Sequence, residues 1–172
     1  MPGIIHPDFE RLKSLFADLN PGSDEAVGLL CASEGYHSPY DATPAGAQVI
    51  ASTGGDGVHF SFLPNEFSEP DDWPVIMTVP MQFDRPNMVV GSGLREFLAL
   101  GLYAGFFVLE QLVYDEDEML ELLERNRTPE NATGLMAATL EAIAETFSIQ
   151  PWDDHRQRLA WLQSNISLPV EN

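Results

Sequence analysis

Apolar residues recur at helical spacing near the N-terminus of the chain and again in its last third. Between Pro7 and Leu19, one face of a predicted helix carries Phe9, Leu12, Leu15, Phe16 and Leu19. Pro7 suits the first helical position, and Asp8 complements the helix dipole. The last third predicts three further helices, one beginning after Asp115 and the others spanning Asn131–Phe147 and Trp152–Gln163.

The middle third of the chain has the two-residue period of β-strands. Apolar and polar residues alternate through Val58, His59, Phe60, Ser61 and Phe62. This alternation predicts a strand with one face on the core. The apolar run Val75–Val79 lies between two prolines and predicts a second, buried strand, and Met88–Val90 predicts a third. We expect the first two strands to pair antiparallel across an acidic loop, Asn65–Trp73.

Two segments lie between these regions. Thr43 as a cap, Pro44 at the first helical position and Gly54-Gly55 as a stop predict a helix from Thr43 to Thr53. Ala26–Ala32 is a short apolar stretch whose pattern fits a helix or a strand, and the sequence leaves both open.

The longest charge-free run of the chain lies between Phe97 and Leu109. A membrane span needs about 20 apolar residues, so this shorter run is predicted to be buried core. It belongs to a helix that starts at Ser92 or Gly93 and has Gly105 as a left-handed stop. Together the elements predict a single α+β domain over residues 1–172, in which helices cover a small, mostly antiparallel sheet. Residues from about 115 to 165 form a helical C-terminal extension of that domain.

Acidic residues dominate the charge of the chain. Its 172 residues include 27 Asp and Glu against eight Lys and Arg, which gives a formal net charge of −19. This charge argues against binding to nucleic acid or to anionic membranes, because both require an excess of basic side chains. It fits solubility alone, and it also fits attraction to a basic protein partner.

The single cysteine and the N-terminus each support one further prediction. Cys31 has apolar neighbours and is predicted to be a buried, inert thiol. The N-terminus lacks the basic region and long apolar stretch of a signal peptide, so we expect a cytoplasmic protein.

The patterns of common catalytic and metal sites are not matched. Gly54–Gly57 lacks the lysine and hydroxyl of a phosphate-binding loop and follows a predicted helix instead of a strand. Ser92 lies between Gly91 and Gly93, but a nucleophile elbow needs glycines two residues away on each side, where Val90 and Leu94 stand. Ser92 is therefore interpreted as a helix cap. The four histidines have no metal-ligand spacing, and Asp115–Glu118 lacks the glycine of a calcium loop. We therefore expect neither a cofactor nor a bound metal.

Five short motifs follow one another through the middle of the chain. They are Pro44, Thr53–Gly57 (TGGDG), the strand HFSFL from His59, Pro74–Ile76 and Gly93–Leu98 (GLREFL). Their order resembles that of the SUKH superfamily over about residues 44–112. That superfamily includes bacterial immunity proteins and relatives of a fungal regulator of cell-wall synthesis. The resemblance implies an α+β fold with a central antiparallel sheet, no catalytic centre, and binding to another protein, often a cognate toxin.

Charge and resemblance together predict a protein-binding domain without enzymatic activity. An immunity protein that neutralises a basic, nuclease-type toxin is one form of this prediction. The predicted contact surface combines the acidic loop with two residues placed nearby, and it consists of Asp56, His59, Glu66, Phe67, Glu69, Asp71, Asp72 and Trp73. The alternative for the loop is a solvated connection with Trp73 packed into the core.

Two functions of other classes stay open. A small hydrolase or metal-assisted enzyme would use Asp56 and His59 as an acid–base pair, and it would need a pocket that joins them to a third polar group. A structural or regulatory homo-oligomer would use the apolar stretch Leu100–Leu109 as a homodimer contact.

Overall fold

The computed structural model describes residues 6–125 and 134–169 and shows the predicted α+β fold. Its helices are α1 (Pro7–Asp18), α2 (Ser23–Val27), α3 (Leu94–Gly101), α4 (Gln111–Tyr114), α5 (Glu116–Arg125), α6 (Gly134–Phe147) and α7 (His155–Asn165). Its strands are β1 (Leu30–Cys31), β2 (Gln48–Ser52), β3 (His59–Phe62), β4 (Val75–Thr78) and β5 (Asn87–Gly91). Short 3-10 turns occur at Pro70–Asp72 and Phe107–Glu110.

The five strands form one antiparallel sheet in sequence order, β1-β2-β3-β4-β5. The predicted pairing of the two apolar strands is confirmed, with Phe60 of β3 opposite Met77 of β4. β5 contains the predicted third strand.

Residues 43–53 end in a strand, where the sequence predicts a helix. Pro44 opens a single turn, in which the Ala47 N–H donates to the Pro44 carbonyl oxygen at 3.0 Å. Gln48–Ser52 then forms β2 and pairs with both β1 and β3. Two rows of interstrand hydrogen bonds and two β-branched residues favour the extended chain over the helix that the cap signal indicates. Gly54–Gly57 therefore joins two strands, and the predicted helix from Thr43 to Thr53 is wrong.

The apolar stretch after β5 folds as a short helix followed by turns. The N-cap of α3 is Gly93, and Ser92 instead donates its hydroxyl to Glu96 at 2.7 Å. Gly105 has the predicted left-handed backbone, with φ of 79°, but it lies beyond the end of α3. Ala26–Ala32 contributes to both candidate elements, because its first residues end α2 and its later residues form β1.

Most of the residues proposed as a homodimer contact are buried in their own chain. The buried members of the stretch include Leu100, Leu102, Phe106 and Leu109. Phe107 is exposed, so the stretch does not present a continuous apolar face. No helix within residues 6–125 and 134–169 is both long and apolar enough to cross a membrane.

The helices of the last third follow the predicted apolar stripes. Asp115 caps α5, because its Oδ1 accepts a hydrogen bond from the Glu118 backbone N–H at 3.0 Å. The buried stripe residues of α6 and α7 are Leu140, Ile143, Phe147, Leu159 and Leu162. The predicted start at Asn131 lies outside the described residues, and α7 begins later than predicted, after its N-cap Asp154.

Both faces of β3 are buried, whereas the sequence predicts a strand with only one buried face. Phe60 packs on Phe97 of α3 with ring centroids 4.7 Å apart, so its face meets the helices. His59 points to the opposite face, since side chains alternate along a strand. It is 3% exposed because the loop before β2 covers it, with the Tyr40 ring stacked at 6.2 Å. The residue predicted to lie on a polar face is therefore interior.

Candidate functional site

The acidic loop Asn65–Trp73 is an ordered connection between β3 and β4. Its base is closed by a hydrogen bond from the Leu63 N–H to the Pro74 carbonyl oxygen, at 2.9 Å. The Asn65 side-chain oxygen accepts from the backbone N–H two residues later, also at 2.9 Å, which forms an Asx-turn. Pro70–Asp72 closes the loop with one 3-10 turn. The backbone conformation of the loop is therefore defined by its own hydrogen bonds.

The predicted contact residues of the loop divide into an exposed group and one anchored residue. Phe67 is 88% exposed. The exposed carboxylates around it are Glu66, Glu69, Asp71 and Asp72. Trp73 is half-buried, and its ring lies edge-on to Phe62 and His6 with centroid distances of 6.1 and 6.2 Å. Trp73 thus holds the loop on the core, and Phe67 is the aromatic residue of the loop that a partner can reach.

Asp56 and His59 lie at the opposite end of β3 from the acidic loop. Asp56 is exposed in the turn before β3, and His59 is the first residue of that strand. The loop follows Phe62, the last residue of the strand, about 10 Å away at the rise of an extended chain. The structure therefore divides the predicted surface into two separate places.

The ring of His59 serves as a structural tie. Its Nδ1 lies 2.7 Å from the Gly57 carbonyl oxygen, which can only accept, so Nδ1 carries the proton. Nε2 then accepts from the Thr43 hydroxyl at 2.9 Å. Burial lowers the pKa of His59, and the bond to Gly57 opposes this effect. Both ring nitrogens are bonded to groups other than Asp56, so the predicted acid–base pair is not joined by a hydrogen bond.

A cleft of about 740 Å³ lies beside the acidic loop. Its walls come from the end of the loop, the starts of α1 and α3, and the end of α7. The polar and aromatic residues of the lining include His6, Asp8, Asp71, Asp72, Arg95 and Trp161. Sequence reasoning misses this cleft because its walls lie far apart along the chain and share no local pattern.

Two carboxylates that line the cleft are held in ion pairs, Asp8 with Arg95 and Glu96 with Arg158, and of the two arginines Arg95 lines the cleft. Arg95 donates to both carboxylate oxygens of Asp8, at 2.6 and 3.2 Å, and this bond lowers the pKa of Asp8. Arg158 donates to both carboxylate oxygens of Glu96. Burial raises the pKa of Glu96, but hydrogen bonds from Arg158 and Ser92 outweigh burial and lower it overall. Both carboxylates are therefore ionised at neutral pH.

His6 forms the inner wall of the cleft. Its Nδ1 accepts from the Phe9 N–H at 3.3 Å, which caps α1, and its ring stacks on Phe62 at 4.4 Å. Burial lowers the pKa of His6, and the carboxylates of Asp71 and Asp8 oppose this effect. The imidazole is therefore neutral at neutral pH. Four carboxylates then outnumber the two guanidinium groups at the cleft, which favours cationic groups there.

Metal ligands are not grouped in the part of the chain that the structure describes, where no three Asp, Glu, His or Cys side chains could hold an ion together. The site thus consists of an acidic loop, an exposed phenylalanine and a negatively charged cleft.

Comparison of the chain with protein-family models, with curated proteins and with solved structures found no match in any of the three.

Proposed function

We propose that this protein is a non-enzymatic binding domain that engages a basic protein partner through its acidic loop. The observation that carries the proposal is Phe67, which is 88% exposed on an ordered loop among four exposed carboxylates. Aromatic residues with complementary charges around them are common anchors of protein interfaces. Because the loop is hydrogen-bonded and Trp73 holds it on the core, binding requires little further ordering.

The specific form we propose is an immunity protein that neutralises a nuclease-type toxin in the cytoplasm. Nucleases carry basic surfaces for phosphate, and a net charge of −19 accelerates association with such a surface. The resemblance of the motif order to the SUKH superfamily, over about residues 44–112, supports the same class of function. The contacts of His59 favour binding over hydrolysis, because its acceptor nitrogen is already occupied by the Thr43 hydroxyl.

The test is a measured affinity for the purified product of the gene adjacent to the one that encodes this chain. The loop-neutral variant, Glu66→Gln, Glu69→Gln, Asp71→Asn and Asp72→Asn together, should slow association roughly tenfold at low salt. Phe67→Ala should weaken binding about tenfold or more through faster dissociation. The two effects separate electrostatic steering from the apolar anchor.

The matched control neutralises four exposed carboxylates elsewhere, at Asp18, Glu34, Glu141 and Glu145. It changes the net charge by the same amount, so a slower association specific to the loop-neutral variant locates the contact. If the partner binds and its affinity is unchanged by both loop changes, the acidic loop is not the contact surface. If no adjacent gene product binds, the immunity function is wrong.

A further inference from the structure

A second exposed apolar surface lies at the tip of the hairpin between β4 and β5. At this tip Phe83 is 84% exposed and Met81 is 58% exposed. Two large, exposed apolar side chains in one short turn, one of which lines a groove, are typical of an interaction site. The acidic loop lies at the other end of β4, so the two surfaces are separate.

The base of this hairpin is held by specific hydrogen bonds. The Val79 N–H donates to the Pro86 carbonyl oxygen at 2.7 Å. The Asn87 side chain accepts from the Thr78 hydroxyl at 2.7 Å and donates to the Ala42 carbonyl oxygen at 2.9 Å. The last bond ties the hairpin to the loop before β2. The tip is therefore presented from a braced stem, which lowers the entropy cost of binding.

A groove of about 420 Å³ runs beside Phe83. Its apolar lining includes Ala42, Pro44, Pro80, Pro86, Leu168 and Pro169. The carboxyl groups of the groove belong to Asp41 and Asp84, which are both exposed. Arg85 is exposed at the tip but does not line the groove. The groove thus combines an apolar floor with an acidic edge.

We propose that this hairpin surface, formed by residues 79–86 and the groove, is a second docking site for a segment of a protein partner that carries apolar side chains flanked by basic ones. The apolar side chains would fill the groove and pack on Phe83, and the basic ones would lie at Asp41 and Asp84. A second copy of this chain fits poorly, because it would bring another charge of −19 and its own Asp41 and Asp84 to the contact.

The test selects peptides from a random library displayed on phage, using the full-length chain as the target. Selected peptides should combine Lys or Arg with large apolar residues. As synthetic peptides they should lose about tenfold or more in affinity for Phe83→Ser, measured by fluorescence anisotropy. Phe67→Ser and the loop-neutral variant are the matched controls and should bind these peptides like the wild type. Circular dichroism and thermal unfolding check that each variant is folded.

Each other outcome would overturn this inference. Peptides that bind Phe83→Ser as tightly as the wild type, or a library that yields no binder, show that the hairpin surface is not a docking site. Peptides that lose affinity for the loop-neutral variant alone support the acidic loop and reject the hairpin surface. A concentration-dependent dimer that Phe83→Ser abolishes, seen by sedimentation equilibrium, assigns the surface to a second copy instead.

Discussion

At the scale of single residues, Gly93 allows the backbone of the acidic loop to lie against the start of α3, because it has no Cβ atom. A Cβ atom at this position would lie 2.3 Å from the carbonyl oxygen of Asp71. The φ angle of Gly93 is −168°, an extended conformation open to any residue, so the constraint is space and not backbone conformation. The position of the loop therefore depends on a residue that lies outside it.

Gly93→Ala is expected to lower the free energy of unfolding by roughly 1–3 kcal/mol. The loop backbone or the first turn of α3 would have to move to make room for the methyl group. Urea denaturation measures the effect. Gly55→Ala is the matched control, because its Cβ would meet the far end of the Phe107 ring at 3.1 Å, and that exposed side chain can move. If both variants unfold like the wild type, the loop is not held at Gly93.

Burial also decides the chemistry of single side chains. It raises the pKa of the Cys31 thiol to about 12, so the thiol stays protonated at neutral pH. The raised pKa agrees with the predicted inert thiol, but Cys31 is half-buried where the sequence predicts a buried residue. The strand pattern predicts a polar face for His59, and the fold instead covers it with Tyr40. The covering loop is separated from β3 in the sequence, so the apolar–polar pattern of the strand does not indicate that His59 is covered.

At the scale of elements, α7 closes the open edge of the sheet at β5. The Gln163 side chain donates to the Val89 carbonyl oxygen at 2.7 Å and accepts from the Val89 N–H at 3.0 Å. A neighbouring strand would make the same two bonds. One side chain thus occupies backbone groups that would otherwise be available for pairing with another chain.

Gln163→Leu is expected to destabilise the fold by about 1–3 kcal/mol and to promote association, because two backbone groups of Val89 lose their partner. Chemical denaturation and light scattering measure the two effects. Gln157→Leu is the control, since Gln157 lies on the exposed face of the same helix. The edge-closing role is wrong if the two variants have the same stability and the same tendency to associate.

The Asp8–Arg95 ion pair joins α1 to α3 and should make the fold sensitive to acid. The pKa of Asp8 is lowered in the folded protein, mainly by its hydrogen bond to Arg95. The ionised group therefore stabilises the fold at pH values above its unfolded pKa. This contribution is lost as the pH falls through the lowered, folded pKa.

Asp8→Asn is therefore expected to reduce stability at neutral pH by about 1 kcal/mol, a modest amount because the Arg95 side chain is 54% exposed. The cost should shrink as the pH is lowered from neutral through the lowered, folded pKa of Asp8, because the group then becomes protonated. Urea denaturation across this range measures it. Glu10→Gln, at the exposed pair with Lys13, is the control and should have little effect at any pH. A constant cost for Asp8→Asn would show that charge is not the cause.

At the scale of the whole molecule, a net charge of −19 creates repulsion throughout the folded chain. Added NaCl is expected to raise the thermal midpoint, because it screens charges that lie closer together in the folded state than in the unfolded state. Differential scanning calorimetry measures the midpoint.

A second variant combines the loop-neutral substitutions with neutralisation of Asp18, Glu34, Glu141 and Glu145. Its thermal midpoint should rise less with salt, because it lacks eight negative charges. A midpoint that falls with salt would mean that attractive pairs such as Asp8–Arg95 outweigh the repulsion. The same rise in both proteins would mean that screening of this excess charge is not the cause.

The sequence-based predictions are correct where interactions between neighbouring residues decide the structure, and wrong where contacts between distant residues decide it. The apolar stripe of α1 and the apolar–polar alternation of β3 depend only on residues close together in the chain. Both elements form where the sequence predicts them. β2 is different. The cap signal at Thr43 is local, whereas the strand depends on pairing with β1 and β3. The partners that favour the strand are not visible in the segment itself.

Some features of the candidate site are likewise predicted by the sequence, and others are decided only by the fold. Charge and composition alone predict that the loop is acidic and that Phe67 stands among carboxylates. The anchoring of Trp73 on Phe62 and the distance of His59 from the loop depend on how the strands are arranged. The hairpin surface around Phe83 lacks a sequence signal, because an apolar residue in a turn is as compatible with burial as with exposure.

By itself the sequence determined the α+β class, the antiparallel pairing of β3 with β4, the helix α1, the helices of the last third and the acidic charge. Each of these follows from the period of apolar residues, from the succession of two strands across one loop or from a count of charges, and none needs knowledge of distant contacts. Tertiary structure alone decided that residues 48–52 form a strand, that His59 is interior, and that Arg95 and Trp161 line one cleft with the acidic loop. These outcomes depend on contacts between residues far apart in the chain, and only the folded chain brings those residues together.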